Sequence, residues 1–111
     1  MHPTDHIQIV TFNLAGLRPD QYAAHAQTVA PRFAELSGLR SKAWIADDGT
    51  NTYGGVYVWE NRRAMLEYVD GPLFAGLLAN ERLVNVTTRD FALLPAPTAV
   101  TTGGGTVGVG A

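Results

Sequence analysis

The chain has 111 residues and a formal net charge of −2, a length typical of one domain and a charge that argues against a broad basic surface for nucleic acid. It contains no cysteine, which excludes disulfides, thiolate metal sites and cysteine nucleophiles. It has three histidines, two of them close to the start, so we expect no multi-histidine metal site, and no stretch of the sequence is long and apolar enough to span a membrane.

The first half of the chain predicts a strand, a helix and a second strand. The segment "HIQIVTFNL" over 6–14 is rich in alternating β-branched residues, which predicts the first strand. Pro19 suits the first turn of a helix, apolar residues then recur at helical spacing, and Gly38 ends the pattern. We expect Pro31 to kink this helix, because proline removes one backbone hydrogen bond. The second strand is predicted over "LRSKAWIAD", 39–47.

The second half predicts a hairpin, helical segments and a last strand. The turn-forming "DGTNT" joins the second strand to a third over 53–60. A short helix is predicted over 61–69, with Asn61 as its N-cap. A further helical turn or two is expected over 73–81, followed by the last strand over 82–94.

This order, β-α-β-β-α-β, predicts an α+β, ferredoxin-like fold with an antiparallel sheet and helices on one face. Because apolar side chains alternate onto both faces of the strands, a second copy of the chain is the expected cover for the open face. We assign residues 1–94 to this domain and residues 95–111 to an uncharged tail rich in Gly, Thr and Pro. The opening "MHPTDHIQIV" lacks the features of a signal peptide, so a cytoplasmic location is expected.

One segment carries a resemblance to a known family. The sequence "GGVYVWENRRAMLEYV", 54–69, resembles the strand-to-helix segment of the YdhR-like mono-oxygenases. Phe12 and Asn13 resemble the end of that family's first strand, and "KAW" at 42–44 resembles its lysine-x-tryptophan in strand two. The matches fall in order and together span roughly residues 6 to 94, which makes them more specific than any one alone.

More broadly, the pattern is similar to the dimeric α/β-barrel superfamily. That superfamily includes cofactor-independent antibiotic-biosynthesis monooxygenases, haem-degrading oxygenases and polyketide cyclases. The resemblance implies a ferredoxin-like subunit that pairs sheet to sheet, with a pocket between the sheet and the helices. The place of the haem histidine of the haem-degrading branch falls at or near Leu78, in "FAGLLANER", which contains no histidine. We therefore predict no haem and no other cofactor.

Three residues are predicted as catalytic. His25 flanks the apolar stripe of the first helix, where it could accept a proton near neutral pH, or it is an exposed helix histidine. Tyr68 ends the second helix in a region that carries a pocket residue in the superfamily, and its alternative is a half-buried core tyrosine. Asn13 ends the first strand and could orient a substrate carbonyl, or it is a turn residue.

Four aromatic residues are predicted to bind substrate: Tyr22, Trp44, Tyr57 and Phe74. Trp44 forms either a flat pocket wall or part of the dimer core. Tyr57 faces either the pocket or the partner. Lys42 shares a strand face with Trp44, and we expect it to be structural, with its aliphatic stem on aromatic rings.

The resemblance favours a homodimeric enzyme that oxygenates a flat aromatic or polyketide-derived small molecule without metal, haem or flavin. A redox-neutral cyclase or isomerase acting on a similar substrate is the first alternative, because this fold hosts several chemistries. The second alternative is a non-catalytic dimer that binds a small ligand. Neither nucleic acid nor a membrane is an expected partner.

Overall fold

The computed structural model describes residues 1–102, and its elements follow the predicted order. They are β1 (His6–Leu14), α1 (Pro19–Ala34), β2 (Leu39–Asp47), β3 (Thr52–Trp59), α2 (Arg62–Val69), α3 (Pro72–Ala79), β4 (Leu83–Ala92) and α4 (Pro95–Thr101). This confirms the α+β, ferredoxin-like arrangement. The first seven residues of the predicted tail form α4, and residues 103–111 lie outside the described part of the chain.

The four strands form one antiparallel sheet in the order β2-β3-β1-β4. Residues of β1 alternate between buried and half-buried, as expected of a sheet with one face on a core. The buried face carries the large side chains Phe12, Tyr53, Tyr57 and Trp59, which pack against α1 and α2. The hydrophobic core therefore lies between this face and the helices.

Local sequence signals explain where several elements begin and end. The Asn61 side chain accepts a hydrogen bond from the backbone nitrogen of Ala64 at 2.9 Å, which confirms it as the N-cap of α2. A 3₁₀ turn, Asp48–Thr50, joins β2 to β3, and Asn51 follows it in the left-handed conformation with φ of 52°. Helix α1 continues past Pro31 to Ala34.

Gly54 allows β1 and β3 to approach closely. A Cβ atom on this residue would lie 1.8 Å from the carbonyl oxygen of Val10, a distance that no side chain can occupy. The pairing that Gly54 allows fixes which β3 side chains reach the core.

Trp59 closes the core. It has no exposed surface, and its Nε1 donates to Oε1 of Gln8 at 3.0 Å. Nε2 of Gln8 in turn donates to the hydroxyl of Thr88 at 3.0 Å. These two hydrogen bonds link β3, β1 and β4 and satisfy two buried polar side chains.

A register shift in β2 breaks the alternation at the start of the strand. It lies between Leu39 and Ser41, and Arg40 pairs with the buried Asp5 at 2.7 Å. Lys42 and Trp44 lie beyond the shift, opposite Tyr57 and Gly55 of β3, respectively.

Among the described residues, no helix combines the length and apolar character needed to cross a bilayer.

Candidate active site

A cavity of about 240 Å³ opens between α1, the buried face of the sheet and α3. Helix α1 lines one side of it with Tyr22, His25, Val29, Arg32 and Phe33. Positions 22, 25, 29 and then 32 and 33 follow one another at intervals of three or four residues, so they occupy one face of the helix. His25 and Arg32 are exposed at the cavity rim, whereas Tyr22 and Phe33 are buried.

The sheet forms the floor of the cavity with Phe12 from β1, Lys42 and Trp44 from β2, and Gly54 and Tyr57 from β3. The remaining side is formed by α3 and the residue that caps its C-terminus. It contributes mainly Pro72, Leu73, Gly76, Leu77 and Asn80. The volume lies a little below the range of about 300–1,000 Å³ common for drug-sized ligands, so a compact, flat ligand suits it.

Aromatic rings give the cavity flat walls. The ring of Phe33 meets that of Trp44 edge to face, with centroids 5.3 Å apart and planes at 81°. Tyr57 lies 6.3 Å from Phe33 on the other side. Trp44 keeps 36% of its surface exposed, which leaves its ring available to a ligand. Such rings can bind a planar aromatic molecule by stacking and by edge-to-face contact.

The ammonium group of Lys42 lies among these rings. Its nitrogen is 3.4 Å from the ring centroid of Trp44, 3.5 Å from that of Phe33 and 4.7 Å from that of Tyr57. Burial lowers the pKa of Lys42 from its ordinary value of 10.5 to about 7, since desolvation penalises the charged form. The contacts with ring faces favour the charged form and partly offset this effect.

Tyr57 and Tyr68 form a buried pair of phenols. Their hydroxyl oxygens are 3.0 Å apart, and their rings are 5.3 Å apart. Burial is the main cause that raises the pKa of each, so both stay protonated near neutral pH. Phe74 packs edge to face on Tyr68 at 5.4 Å, on the far side from the cavity residue Tyr57.

Asn13 lies apart from the cavity. It is on the half-buried face of β1, where its Nδ2 donates to the carbonyl oxygen of Asn51 at 2.7 Å. Its Oδ1 accepts from Nδ2 of Asn85 at 2.9 Å. Both ends of the amide are therefore engaged in joining β1 to the β2–β3 turn and to β4.

Of the described residues, the side chains that can give the cavity a charge near neutral pH are all basic. Its ionisable bases are His25, Arg32 and Lys42, and within residues 1–102 no carboxylate lines it. In the same part of the chain, Lys42 forms no ion pair with Asp or Glu. No group of three or more potential metal ligands converges among these described residues. The arrangement suits a ligand that carries or develops negative charge.

The structure thus brings together four of the predicted site residues and separates three. Tyr22, His25, Trp44 and Tyr57 line the cavity. Tyr68 and Phe74 lie outside its lining, although Tyr68 contacts the lining residues Tyr57 and Phe33. Asn13 lies on the other sheet face.

The sequence predicted a structural role for Lys42 and did not indicate that its amine lines the cavity. A partial signal was present, because Lys42 is the single lysine of the chain and alternation places it beside Trp44. Arg32 was also missed, although it lies seven residues after His25 and hence on the same helix face.

Comparisons with known proteins agree with this architecture. The family described as "Putative mono-oxygenase ydhR" matches residues 7–104. The chain has no match among curated proteins.

Solved structures with a similar fold come from several bacteria. A protein of unknown function from Nitrosomonas europaea is 22% identical, with 86% of this chain and 95% of that chain covered and a TM-score of 0.66. SnoaB, a cofactor-independent oxygenase from Streptomyces nogalater, is 21% identical, with 83% and 98% covered and a TM-score of 0.65. A dimeric ferredoxin-like protein of unknown function from Thermobifida fusca is 22% identical, with 80% and 91% covered and a TM-score of 0.64. At these identities the likeness shows the fold.

Proposed function

This chain belongs to the ydhR mono-oxygenase family, and from that premise we propose that it is a cofactor-independent monooxygenase of a flat aromatic or polyketide-derived small molecule. The observation that carries the proposal is the cavity over the sheet, which combines aromatic walls with basic side chains. The description of SnoaB as a cofactor-independent oxygenase supports the same chemistry on a similar fold.

In the proposed reaction, oxygen replaces two hydrogens on one activated carbon of the substrate. A CH₂ group flanked by aromatic or carbonyl groups loses a proton, and the resulting carbanion gives one electron to O₂. Recombination of the two radicals and proton transfer give a hydroperoxide, which loses water to leave a carbonyl. The balance is CH₂ + O₂ → C=O + H₂O, so no external reductant is needed.

The protein's share of this chemistry is deprotonation, orientation and exclusion of water. Trp44 and Phe33, whose rings meet edge to face, would together form a wall against which the planar part of the substrate lies. The hydroxyl of Tyr57, supported by that of Tyr68, would donate to a substrate oxygen. His25 and Arg32 at the rim would attract an acidic substrate.

Asn13 as a substrate anchor stays a prediction, and the cavity geometry lends it no support. Both ends of its amide already have partners on the other face of the sheet. Phe74 contributes to the core behind Tyr68, so we assign it a supporting role.

We further propose that two copies of the chain pair through the open faces of their sheets. On this face Ile7 lies opposite both Val58 and Phe91, and Ile9 lies opposite Val56. Phe91 is 42% exposed, and an exposed large apolar side chain next to other apolar residues on a sheet face is typical of a protein–protein contact. The Thermobifida fusca protein of similar fold is described as dimeric, which supports the same assembly here.

The test of the oxygenase function is oxygen uptake by metal-free protein with a panel of anthrone-like and phenolic compounds. We expect stoichiometric uptake of one O₂ per carbonyl formed, unchanged by chelators and by added flavin or haem. Product that forms equally well under nitrogen would instead establish the redox-neutral cyclase or isomerase. Tight binding of the panel with no product in either atmosphere would establish the non-catalytic ligand-binding protein.

A further inference from the structure

The side chain of Lys42 lines the cavity floor, where its neighbours define its course. It lies opposite Tyr57 on β3, next to Gly55, and its nitrogen stands over the rings of Trp44 and Phe33. A Cβ atom on Gly55 would lie 2.6 Å from Cε of Lys42. The missing side chain at Gly55 therefore provides the space through which the lysine stem runs.

The charged and titratable groups that face Lys42 are few. Helix α1 presents His25 and Arg32 at the rim and the phenol of Tyr22, and β3 presents the phenol of Tyr57. The α3 side contributes apolar residues and the neutral amide of Asn80. On its own strand, Arg40 is engaged with Asp5.

Within residues 1–102, no carboxylate reaches the cavity to hold this amine as an ammonium ion. Burial, which lowers the pKa of Lys42 to about 7, keeps a large fraction of it neutral at physiological pH. A neutral amine on the floor of a ring-lined cavity is a competent proton acceptor, and the ammonium that it becomes can pair with an oxyanion.

We propose that Lys42, rather than His25, is the base that removes the substrate proton, an inference that rests on the proposed oxygenase function. The C–H bond breaks, Nζ of Lys42 forms the new N–H bond, and the electron pair stays on the substrate as an enolate. The ammonium of Lys42 then neutralises the enolate oxygen. His25 is exposed at the rim, farther along α1 from the aromatic walls that would hold the reacting carbon.

The assignment also defines the substrate class. The substrate is a carbon acid in which the reacting CH₂ is attached to an aromatic ring and activated by a carbonyl group, so that its carbanion is delocalised onto the carbonyl oxygen. The ring lies against Trp44 and Phe33, and the carbonyl oxygen faces the Lys42 amine, where negative charge develops.

The first test measures Lys42 directly and needs no substrate. Because the chain has one lysine, protein labelled with ¹³C-lysine gives a single Cε signal to follow against pH. We expect its midpoint near 7, about where burial places it. The variant Arg63→Lys adds an exposed lysine as an internal reference, which we expect to titrate near 10.4. A Lys42 midpoint that coincides with this reference would overturn the proposal.

The second test separates proton removal from oxygenation. Under nitrogen in D₂O, wild-type protein should exchange the acidic C–H of an anthrone-like compound for deuterium. Lys42→Met and Lys42→Arg should each lose about 100-fold or more of this exchange, since a positioned base contributes about 10²–10⁴-fold. Arg63→Lys, which is outside the cavity, should exchange at the wild-type rate.

The outcomes distinguish this proposal from the oxygenase function. Exchange that depends on Lys42 without later oxygen uptake would leave Lys42 as the base and refute the oxygenase. If exchange or oxygen uptake survives in Lys42→Met but is lost in His25→Gln, Lys42 is not the base. His25 would then be the residue that removes the substrate proton. Retention of exchange in Lys42→Arg would also refute the role of Lys42, because arginine keeps the charge but does not release a proton in this range.

Discussion

The hydroxyl oxygens of Tyr57 and Tyr68 lie 3.0 Å apart, and each phenol is the other's hydrogen-bond partner inside the core. Tyr57 lines the cavity, whereas Tyr68 lies one layer behind it, between Tyr57 and Phe74. The pair thus connects the cavity floor to helix α2. Any substrate oxygen that reaches Tyr57 meets a phenol whose orientation is set by Tyr68.

The energetics of this pair should be strongly non-additive. Tyr57→Phe and Tyr68→Phe should each lower the free energy of unfolding by about 1–2 kcal/mol, because each leaves a buried hydroxyl without its partner. The double variant should lose no more than either single one, since neither hydroxyl remains. Urea unfolding of all four proteins measures this cycle. A double-variant loss equal to the sum of the single losses would show that the bond between them contributes nothing.

The burial of Lys42 should make stability depend on pH in a defined direction. Its folded-state pKa is lowered to about 7, so between about pH 7 and 10 the unfolded chain binds more protons than the folded one. Stability must therefore rise with pH through that window, by about 2 kcal/mol between pH 7 and 9 at 1.36 kcal/mol per unit. Below pH 7 the full penalty of burying the ammonium persists.

The matched variant for this measurement is Lys42→Met, which keeps the aliphatic stem and removes the amine. Subtracting its pH profile from that of wild type cancels the contributions of all other titrating groups. We expect the difference to grow steadily smaller as pH rises from 7 to 9, with Lys42→Met the more stable protein at pH 7. A difference that stays constant over this range would mean that the amine is not desolvated.

The two neighbouring glycines of β3 should respond differently to alanine. Gly54→Ala places Cβ 1.8 Å from the backbone oxygen of Val10, which cannot move without breaking β1–β3 pairing, so a loss of about 3 kcal/mol or more is expected. Gly55→Ala meets the flexible Cε of Lys42 at 2.6 Å, which can shift aside, and Cε1 of Tyr57 at 3.2 Å, which needs to move by only a few tenths of an ångström. It should cost under about 1 kcal/mol and raise the Lys42 midpoint in the ¹³C titration as the amine moves toward solvent. Equal thermal stability of the two variants would contradict this reasoning.

The sequence was sufficient to predict the order of elements, because period-two and period-3.6 patterns alternate cleanly between turn signals. It also placed Tyr57 and Trp59 on one strand face, since alternation depends only on the backbone. It did not predict how deep each side chain lies. The sequence predicted Tyr68 as a catalytic residue and Tyr57 as a substrate-binding residue, yet only packing of α2 against β3 decides that Tyr57 lines the cavity and Tyr68 supports it.

Lys42 and Asn13 both show that the sequence does not reveal a side chain's spatial neighbours. Lys42 was predicted to be structural because lysine stems commonly cover aromatic rings, and the stem does so here. Its chemistry depends on the absence, among residues 1–102, of carboxylates around the cavity, and this absence is a property of three elements that meet in space. Asn13 was judged by its place at a strand end, whereas its partners Asn51 and Asn85 are 38 and 72 residues away.

The proposed dimer gives the last prediction. Val56→Glu places a charge at the centre of the open sheet face, where Val56 pairs with Ile9 on the neighbouring strand. If that face is buried in a dimer, the carboxylate must be desolvated without a partner, and the dimer should dissociate. Sedimentation equilibrium at micromolar concentration should give twice the 11.9 kDa chain mass for wild type and the chain mass itself for the variant. Gln27→Glu, on the exposed side of α1, is the control and should stay dimeric. A wild-type monomer would refute the assembly, and a dimer that persists in Val56→Glu would place the interface on another surface.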